Sequence, residues 1–225
     1  MRKKGKRIIG CGSLLVLVFL VWTGMVLCVD VQPLGQNGTN IGFATMNCWF
    51  HQLTGVHLMI YHITDWLGLV PVAVCMMFGG IGFGQMIKRK SPWKVDRDLM
   101  ILGVYYVIVI LCYLVFEMIP INYRPILIEG RMEVSYPSST TLLVLCVMPT
   151  LTEQMNRRVK NDIIKKVIQL FVVLFSGFMV IGRLISGVHW LTDIVGGMLL
   201  SSGLFTVYYG IDVWCCRKKN NLEVL

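Results

Sequence analysis

Five long apolar runs constrain this chain more than any other feature of its sequence. A run of roughly 20 apolar residues is long enough to cross a bilayer core about 30 Å thick. Hydrophobic residues make up 56% of the chain and charged residues only 15%, whereas a soluble domain carries about 25% charged residues. This pattern excludes a cytosolic globule, a disordered chain and most nucleic-acid binders, and it predicts an all-α integral membrane protein. The runs are Ile8–Val29, Leu67–Ile87, Leu99–Ile119, Val167–Ile181 and Leu191–Trp214.

A sixth segment, Thr140–Met155, is ambiguous by hydropathy, because it begins apolar and ends polar. The placement of cations favours counting it as a span, since cytoplasmic loops collect lysine and arginine. With six spans and both termini cytoplasmic, 18 of the 21 lysines and arginines lie inside; without this span the division is 11 inside and 10 outside. The inner clusters are Arg2–Arg7, Lys88–Arg97, Arg157–Lys166 and Arg217–Lys219.

The sequence therefore predicts one membrane domain, residues 1–225, built as a six-helix transmembrane bundle in the cell membrane. The first span is expected to be a retained helix, because its apolar stretch exceeds that of a signal peptide and no small-residue cleavage site follows it. Cysteines inside the spans fit as small core residues. We find no metal-ligand motif and predict no cofactor, and the sequence does not reveal the oligomeric state.

Residues 41–63, between the first two spans, mix apolar and polar side chains. Met46, Trp49, Phe50 and Leu53 recur at three- and four-residue spacing. This spacing predicts a helix that lies along the outer membrane interface. A plain extracellular loop is the alternative.

Three arginines, Arg124, Arg131 and Arg183, are left on the outer side in the six-span arrangement. An arginine near the bilayer is costly and points to a functional site. Its planar guanidinium suits phosphate, to which it offers paired donors. The three side chains are predicted either to surround a phosphorylated headgroup or to anchor the protein to lipid phosphates.

His189 and Asp193 are four residues apart at the start of the last span. If the helix begins near Val188, the two side chains share a face. The carboxylate then accepts a hydrogen bond from one ring nitrogen, and the other nitrogen is free to act as a nucleophile or base. Arg183, at the end of the preceding span, is placed to hold the phosphate under attack.

Pro137 followed by Ser138, Ser139 and Thr140 is typical of a helix N-terminus. Free backbone N–H groups and the positive end of the helix dipole form an anion site at such a position. Simple helix capping explains the same residues.

Together, these residues resemble the phosphatidic acid phosphatase type 2 superfamily, the membrane lipid phosphatases related to vanadium haloperoxidases. The family pattern is Lys, six residues and Arg-Pro; then Pro-Ser-Gly-His; then Ser-Arg, five residues, His, three residues and Asp. The resemblance covers about residues 66–214, and the third motif matches with the correct spacing. The matching positions are Arg124-Pro125, Pro137-Ser138, Arg183, His189 and Asp193.

The resemblance implies a phosphohistidine mechanism at the outer face, without a metal. His189 attacks the phosphorus and Asp193 orients it. Phosphate oxygens are bound by Arg124, by Arg183 and by the backbone at Ser138 and Ser139. The implied substrate is a lipid phosphate or diphosphate such as phosphatidate or a polyprenyl diphosphate.

The chain departs from the family pattern at two important positions. Glu117 occupies the place of the first lysine, and Thr140 that of the general-acid histidine. Glutamate removes a phosphate-binding cation, and a threonine hydroxyl cannot protonate a leaving oxygen near neutral pH. Gly182 also replaces the motif serine.

Three explanations of these departures stay open. A diphosphate substrate leaves as phosphate, with a second pKa of about 6, and needs little acid assistance. Another outer-side group can donate the proton, with Arg131 replacing the missing cation or pairing with Glu117. The third explanation is that the protein is a pseudoenzyme that binds or moves phospholipids. The groups considered as proton donors are Glu117, Glu129, Glu133, His51, His57 and His62.

Overall fold

The computed structural model describes residues 2–216. Within this part of the chain the structure is helical, with isolated β-bridges and no strands, as predicted. The cations Arg217, Lys218 and Lys219, assigned above to the cytoplasmic side, lie outside the described residues. The α-helices are α1 (Arg2–Cys28), α2 (Ala44–Thr54), α3 (Leu58–Leu67), α4 (Leu69–Arg89), α5 (Arg97–Met118), α6 (Ser139–Arg158), α7 (Asp162–Ile185) and α8 (Leu191–Cys215).

Five stretches of the described chain are long and apolar enough to cross a membrane. They contain the five apolar runs apart from the end residues Val29 and Ile119. This agreement supports a multi-pass membrane protein. The second stretch joins α3 to α4, because Gly68 between them keeps a right-handed helical backbone. The stretches are Arg2–Cys28, Leu58–Arg89, Arg97–Met118, Asp162–Ile185 and Leu191–Cys215.

Helix α6, the ambiguous segment, lies inside the bundle and packs against α4, α5, α7 and α8. Two of its polar side chains bond to neighbouring helices: the Thr150 hydroxyl is 2.7 Å from the Tyr106 hydroxyl, and Gln154 donates to the Tyr208 hydroxyl over 3.2 Å. Polar residues of a membrane helix are tolerated where they face the bundle interior. The low hydropathy of α6 therefore reflects its protein surroundings.

Ion pairs hold the C-terminal end of α6. Arg157 pairs with the buried Asp212 of α8, and Arg158 lies 2.7 Å from Asp98 of α5. These pairs tie α6 to two neighbours at the end opposite its N-terminus, so that the N-terminus has a fixed position in the bundle.

Helix α1 packs closely along α8. A Cβ added at Gly12 would lie 2.6 Å from the backbone nitrogen of Val207. Small residues let membrane helices approach each other in this way. Glycine at position 12 is therefore a requirement of the α1–α8 contact.

Residues 41–63, predicted as one helix, form two in the structure. Helices α2 and α3 are separated at Gly55, whose φ is +69°. We call residues 44–67 the α2–α3 arm. It exposes large apolar side chains, including Leu53 and Met59, the latter 77% exposed. Its location at the membrane interface stays a prediction.

Candidate functional site

The connection between α5 and α6 is a hairpin-shaped loop that carries part of the site. Tyr123 and Val134 form an antiparallel bridge near its base. The Ser135 N–H donates to the Asn122 carbonyl over 2.9 Å. Arg124 and Ser135 therefore lie on opposite limbs of the loop, next to each other in space despite their separation in sequence.

His189 and Asp193 meet through a third residue. Helix α8 begins at Leu191 rather than near Val188, so His189 lies in the preceding loop. Its Nδ1 is 3.9 Å from the carboxylate, too far for a hydrogen bond. The Ser135 hydroxyl lies between them, 2.9 Å from Nδ1 and 2.5 Å from Oδ2 of Asp193. The predicted direct bond is thus corrected to a relay through Ser135.

Asp193 is fully buried and accepts further hydrogen bonds that fix it. The Trp190 N–H donates to Oδ2 over 2.9 Å, and the Asn122 amide donates to Oδ1 over 3.1 Å. Together with the Ser135 hydroxyl, three donors hold the carboxylate. Charge-assisted bonds of this kind are short and strong, so the carboxylate is a rigid anchor.

This network assigns the protons of the His189 ring. A hydroxyl has one hydrogen, and Ser135 donates it to Asp193. The Ser135 oxygen therefore accepts from Nδ1–H of His189, and Nε2 keeps its lone pair. Burial, followed by the charges of Arg124 and Arg183, holds the pKa of His189 well below its ordinary value. The ring is neutral at physiological pH, as a nucleophile must be.

The two arginines on family motif positions share one aromatic surface. The Cζ of Arg124 lies 5.6 Å, and that of Arg183 4.9 Å, from the ring centroid of Tyr61 in α3. Both separations fall in the range of cation–π attraction. Tyr61 therefore contacts both of these like-charged guanidinium groups.

Each arginine also has a carboxylate partner. Nε of Arg124 is 3.1 Å from Glu133, and Nη2 of Arg183 is 2.8 Å from Asp65 of α3. The same Nη2 donates to the Thr140 hydroxyl over 2.6 Å. The Arg183 side chain is 2% exposed and that of Asp65 59%, so Asp65 lies at the solvent-facing side of the pair.

Several polar atoms of these residues are buried without a hydrogen-bond partner. Such atoms are rare in folded proteins, and each calls for an explanation. Guanidinium nitrogens, a hydroxyl and an imidazole nitrogen are the set that a phosphate group would satisfy. The atoms are Nη1 of Arg124, Nε and Nη1 of Arg183, Oγ of Ser138 and Nε2 of His189.

Ser138 and Ser139 begin α6, as predicted from the sequence. Ser138 is the N-cap residue, but its hydroxyl makes no capping bond, so simple capping does not account for it. Its backbone N–H is also engaged, since it donates to the Asp193 carbonyl over 3.1 Å. What Ser138 offers an anion is therefore its hydroxyl, while Ser139 offers the first-turn N–H of α6.

Three residues bear on the two departures from the family pattern, and they lie in different places. The Thr140 hydroxyl binds Arg183, as described above. Glu117 is exposed near the end of α5, where it lines a pocket with Ser135 and Ser139. Arg131 lies on the exposed turn of the hairpin loop. Within residues 2–216, Arg131 forms no ion pair with Glu117.

The other candidate proton donors contact other groups or lie in an exposed turn. His51 Nε2 is 3.1 Å from the Gly187 carbonyl, and His57 Nε2 is 2.9 Å from that of Thr54. Glu129 occupies the exposed turn of the hairpin loop with a φ of +49°. Glu133 pairs with Arg124, and His62 lies beside the Tyr61 ring.

Sequence patterns did not indicate Ser135, Asn122, Tyr61 or Asp65. The first two lie in a loop without periodicity, and their roles depend on the hairpin fold. Asp65 does carry a signal, because it is an ionisable residue at the start of an apolar run and such residues mark functional sites in membrane helices. Within residues 2–216, no three His, Cys, Asp or Glu side chains gather as a metal site.

Comparison with known proteins shows the family and the fold of the chain. The PAP2 superfamily matches residues 68–215, and the chain belongs to this superfamily of membrane phosphatases. A solved structure, described as the first transmembrane PAP2 type phosphatidylglycerolphosphate phosphatase from Bacillus subtilis, superposes with a TM-score of 0.65. It is 18% identical, and the match covers 92% of this chain and 98% of that one, so it shows the fold. No curated protein sequence matches the chain.

Proposed function

We propose that this protein removes phosphate from a lipid phosphate or diphosphate, at the outer face of the membrane, through a phosphohistidine intermediate. One observation carries the proposal: the unpaired Nε2 of His189 is buried beside unpaired nitrogens of Arg124 and Arg183. A neutral nucleophile next to two fixed cations suits attack on a phosphate group.

In the first step, phosphate oxygens accept hydrogen bonds from Arg124, Arg183 and the Ser138 hydroxyl. Nε2 of His189 attacks phosphorus, and the bond to the lipid oxygen breaks with its electron pair on that oxygen. The ring becomes positively charged while Nδ1–H still donates to Ser135. The buried Asp193 carboxylate stabilises this charge through the Ser135 hydroxyl.

In the second step, water attacks the phosphorus and the P–N bond breaks. The electron pair returns to Nε2 of His189, and inorganic phosphate leaves. The two arginines stabilise the charge on the phosphoryl oxygens in both transition states. Fixed donors of this kind supply much of the rate enhancement in phosphoryl transfer.

The leaving group decides how much acid assistance the first step needs. A diphosphate leaves as phosphate, with a second pKa of about 6, while an alkoxide has a conjugate acid as weak as water, at roughly 15.7. Thr140 donates no proton in the position of the family histidine. Where no other side chain supplies the proton, diphosphate lipids should react faster than monophosphate lipids.

Phosphate release from a panel of lipid monophosphates and diphosphates tests the proposal. His189→Ala should abolish release, because it removes the imidazole nitrogen that attacks phosphorus. His57→Ala is the matched control, since the exposed His57 ring bonds to the Thr54 carbonyl. Equal release by the wild-type protein and His189→Ala contradicts the phosphohistidine mechanism.

The alternative function is a pseudoenzyme that binds or moves phospholipids. Two features favour it: the Thr140 hydroxyl is occupied by Arg183, and Glu117 makes no ion pair with either site arginine within the described residues. Such a protein binds lipid phosphate vesicles and releases no phosphate, with or without His189.

For the topology, we propose six spans with both termini cytoplasmic and a multi-pass position in the cell membrane. The distribution of lysine and arginine supports this arrangement, and so does the location of α6 within the bundle. The His189 loop, the hairpin loop and the N-terminus of α6 then share the outer face. The bilayer and a lipid phosphate are the proposed partners.

A further inference from the structure

Thr140 occupies the position of the family's proton-donating histidine, and the structure places a carboxyl group beside it. Nη2 of Arg183 donates to the Thr140 hydroxyl over 2.6 Å and to Oδ1 of Asp65 over 2.8 Å. Both oxygens are thus within hydrogen-bond distance of one nitrogen. A carboxyl oxygen of Asp65 therefore lies near Thr140, the position at which the family has its general-acid histidine.

A second departure from the family pattern allows α3 to pack close to Arg183 of α7. Gly182 replaces the motif serine, and a Cβ added there would lie 2.7 Å from the Thr64 methyl group. A serine would therefore push α3 away from α7. Thr64 directly precedes Asp65 and is fully buried, so the contact with Gly182 fixes how close Asp65 comes to Arg183.

The rest of the α2–α3 arm is held against the His189 loop. The His57 N–H donates to the Ser186 carbonyl over 2.9 Å. A Cβ at Gly187, whose φ is +68°, would lie 2.0 Å from the Gly55 carbonyl oxygen. Asp65 is thus positioned from both ends of α3, by the loop that carries the nucleophile at one end and by α7 at the other.

We propose that Asp65 is the proton-transfer residue of this site, in place of the missing histidine; the proposal rests on the phosphatase function above. A substrate phosphate that binds Arg183 brings a second negative group to the same guanidinium. One proton held between the two anions relieves their mutual repulsion.

Asp65 loses one proton and regains one proton in each turnover. When the P–O bond to the lipid breaks, the Asp65 carboxylic acid gives its proton to the leaving oxygen, and the lipid departs as an alcohol. When water attacks the phosphohistidine, the Asp65 carboxylate takes one water proton. The carboxylic acid is thereby restored, and no further reactant is needed.

Asp65→Asn in the full-length protein tests the proposal, because asparagine keeps the shape and the acceptor for Arg183 but transfers no proton. The substrates are a lipid monophosphate, whose alcohol is a poor leaving group, and p-nitrophenyl phosphate, whose phenol is a good one. General acid–base catalysis contributes about 10²–10⁴-fold. Release from the lipid should fall by at least about 100-fold.

On p-nitrophenyl phosphate, Asp65→Asn should give a burst of about one p-nitrophenol per protein, followed by slow turnover with phosphohistidine accumulating. The burst also counts folded sites. Glu133→Gln is the matched control, since Glu133 pairs with the other site arginine. It should lower release from both substrates by one common factor, without a burst.

The proposal is overturned if Asp65→Asn lowers release from both substrates equally and shows no burst, because Asp65 then only positions Arg183. Unchanged activity overturns it as well. In both cases, a wild-type protein that forms phosphohistidine keeps the proposed function intact. A wild-type protein without His189-dependent release refutes the phosphatase function, and this proposal with it.

Discussion

The Ser135 hydroxyl connects the nucleophile to its buried carboxylate, so one small side chain controls the protonation of the His189 ring. We predict that Ser135→Ala lowers the turnover number by about 100-fold or more, in the range typical of lost proton-positioning groups. Without the hydroxyl, Nδ1 and Asp193 remain 3.9 Å apart, and the tautomer is no longer fixed.

Steady-state kinetics on a lipid phosphate measure this effect. Ser139→Ala is the control, because it keeps the backbone N–H that Ser139 contributes to the site. A loss confined to KM in Ser135→Ala would contradict a role in orienting the nucleophile.

The low pKa of His189 predicts the pH dependence of the reaction. Burial and the charges of Arg124 and Arg183 lower this pKa from an ordinary value of 6.5, and only the neutral ring attacks phosphorus. The acidic limb of kcat/KM should therefore lie below pH 6.5. An acidic limb above pH 6.5 that disappears in His189→Ala would contradict the assignment.

The same shift affects stability, with a definite sign. In the unfolded chain His189 binds a proton below about pH 6.5, while the folded site resists protonation until lower pH. Stability from this residue is thus present above pH 6.5 and decreases as the pH falls. Thermal unfolding in detergent of the wild-type protein and His189→Ala measures the difference.

Among the elements, the α1–α8 pair depends on close approach of two backbones. We predict that Gly12→Leu destabilises the protein by about 1–3 kcal/mol or more, because a Cβ there would overlap the α8 backbone and overpacking costs that much. Gly24→Leu is the control in the same helix, since a Cβ at that position meets no neighbouring helix or loop within 4 Å.

Thermal unfolding of the two variants in detergent compares them directly. Equal melting temperatures would show that α1 does not pack on α8 as described.

Helix α6 shows what hydropathy can and cannot indicate about an element. The sequence indicates where α6 begins and ends, because Pro137 and Ser138 precede it and Arg157 and Arg158 lie in its last turn. Its polar residues, Thr150 and Gln154, made the span ambiguous. Their partners, Tyr106 and Tyr208, come from other helices, so only the packed bundle explains why these polar groups are stable there.

For the whole molecule, the proposed topology predicts which loops are reachable from outside the cell. A single cysteine at Lys160, in the connection after α6, should resist a membrane-impermeant thiol reagent in intact cells. A cysteine at Glu129, in the exposed turn of the hairpin loop, should react. Both variants need a background in which the native exposed cysteines are replaced by serine.

Labelling of the Lys160→Cys variant from outside would contradict six spans with the N-terminus inside. Permeabilised cells provide the control for accessibility, since both positions should then react.

The sequence by itself determined the membrane class, the five apolar helices and the positions of Arg183, His189 and Asp193, because hydropathy and motif spacing are local properties of the chain. The tertiary structure decided that Ser135 lies between His189 and Asp193, and that Asp65 reaches Arg183 beside Thr140. These residues come from the hairpin loop and the α2–α3 arm. Their contacts depend on how distant segments pack, which no spacing along the chain encodes.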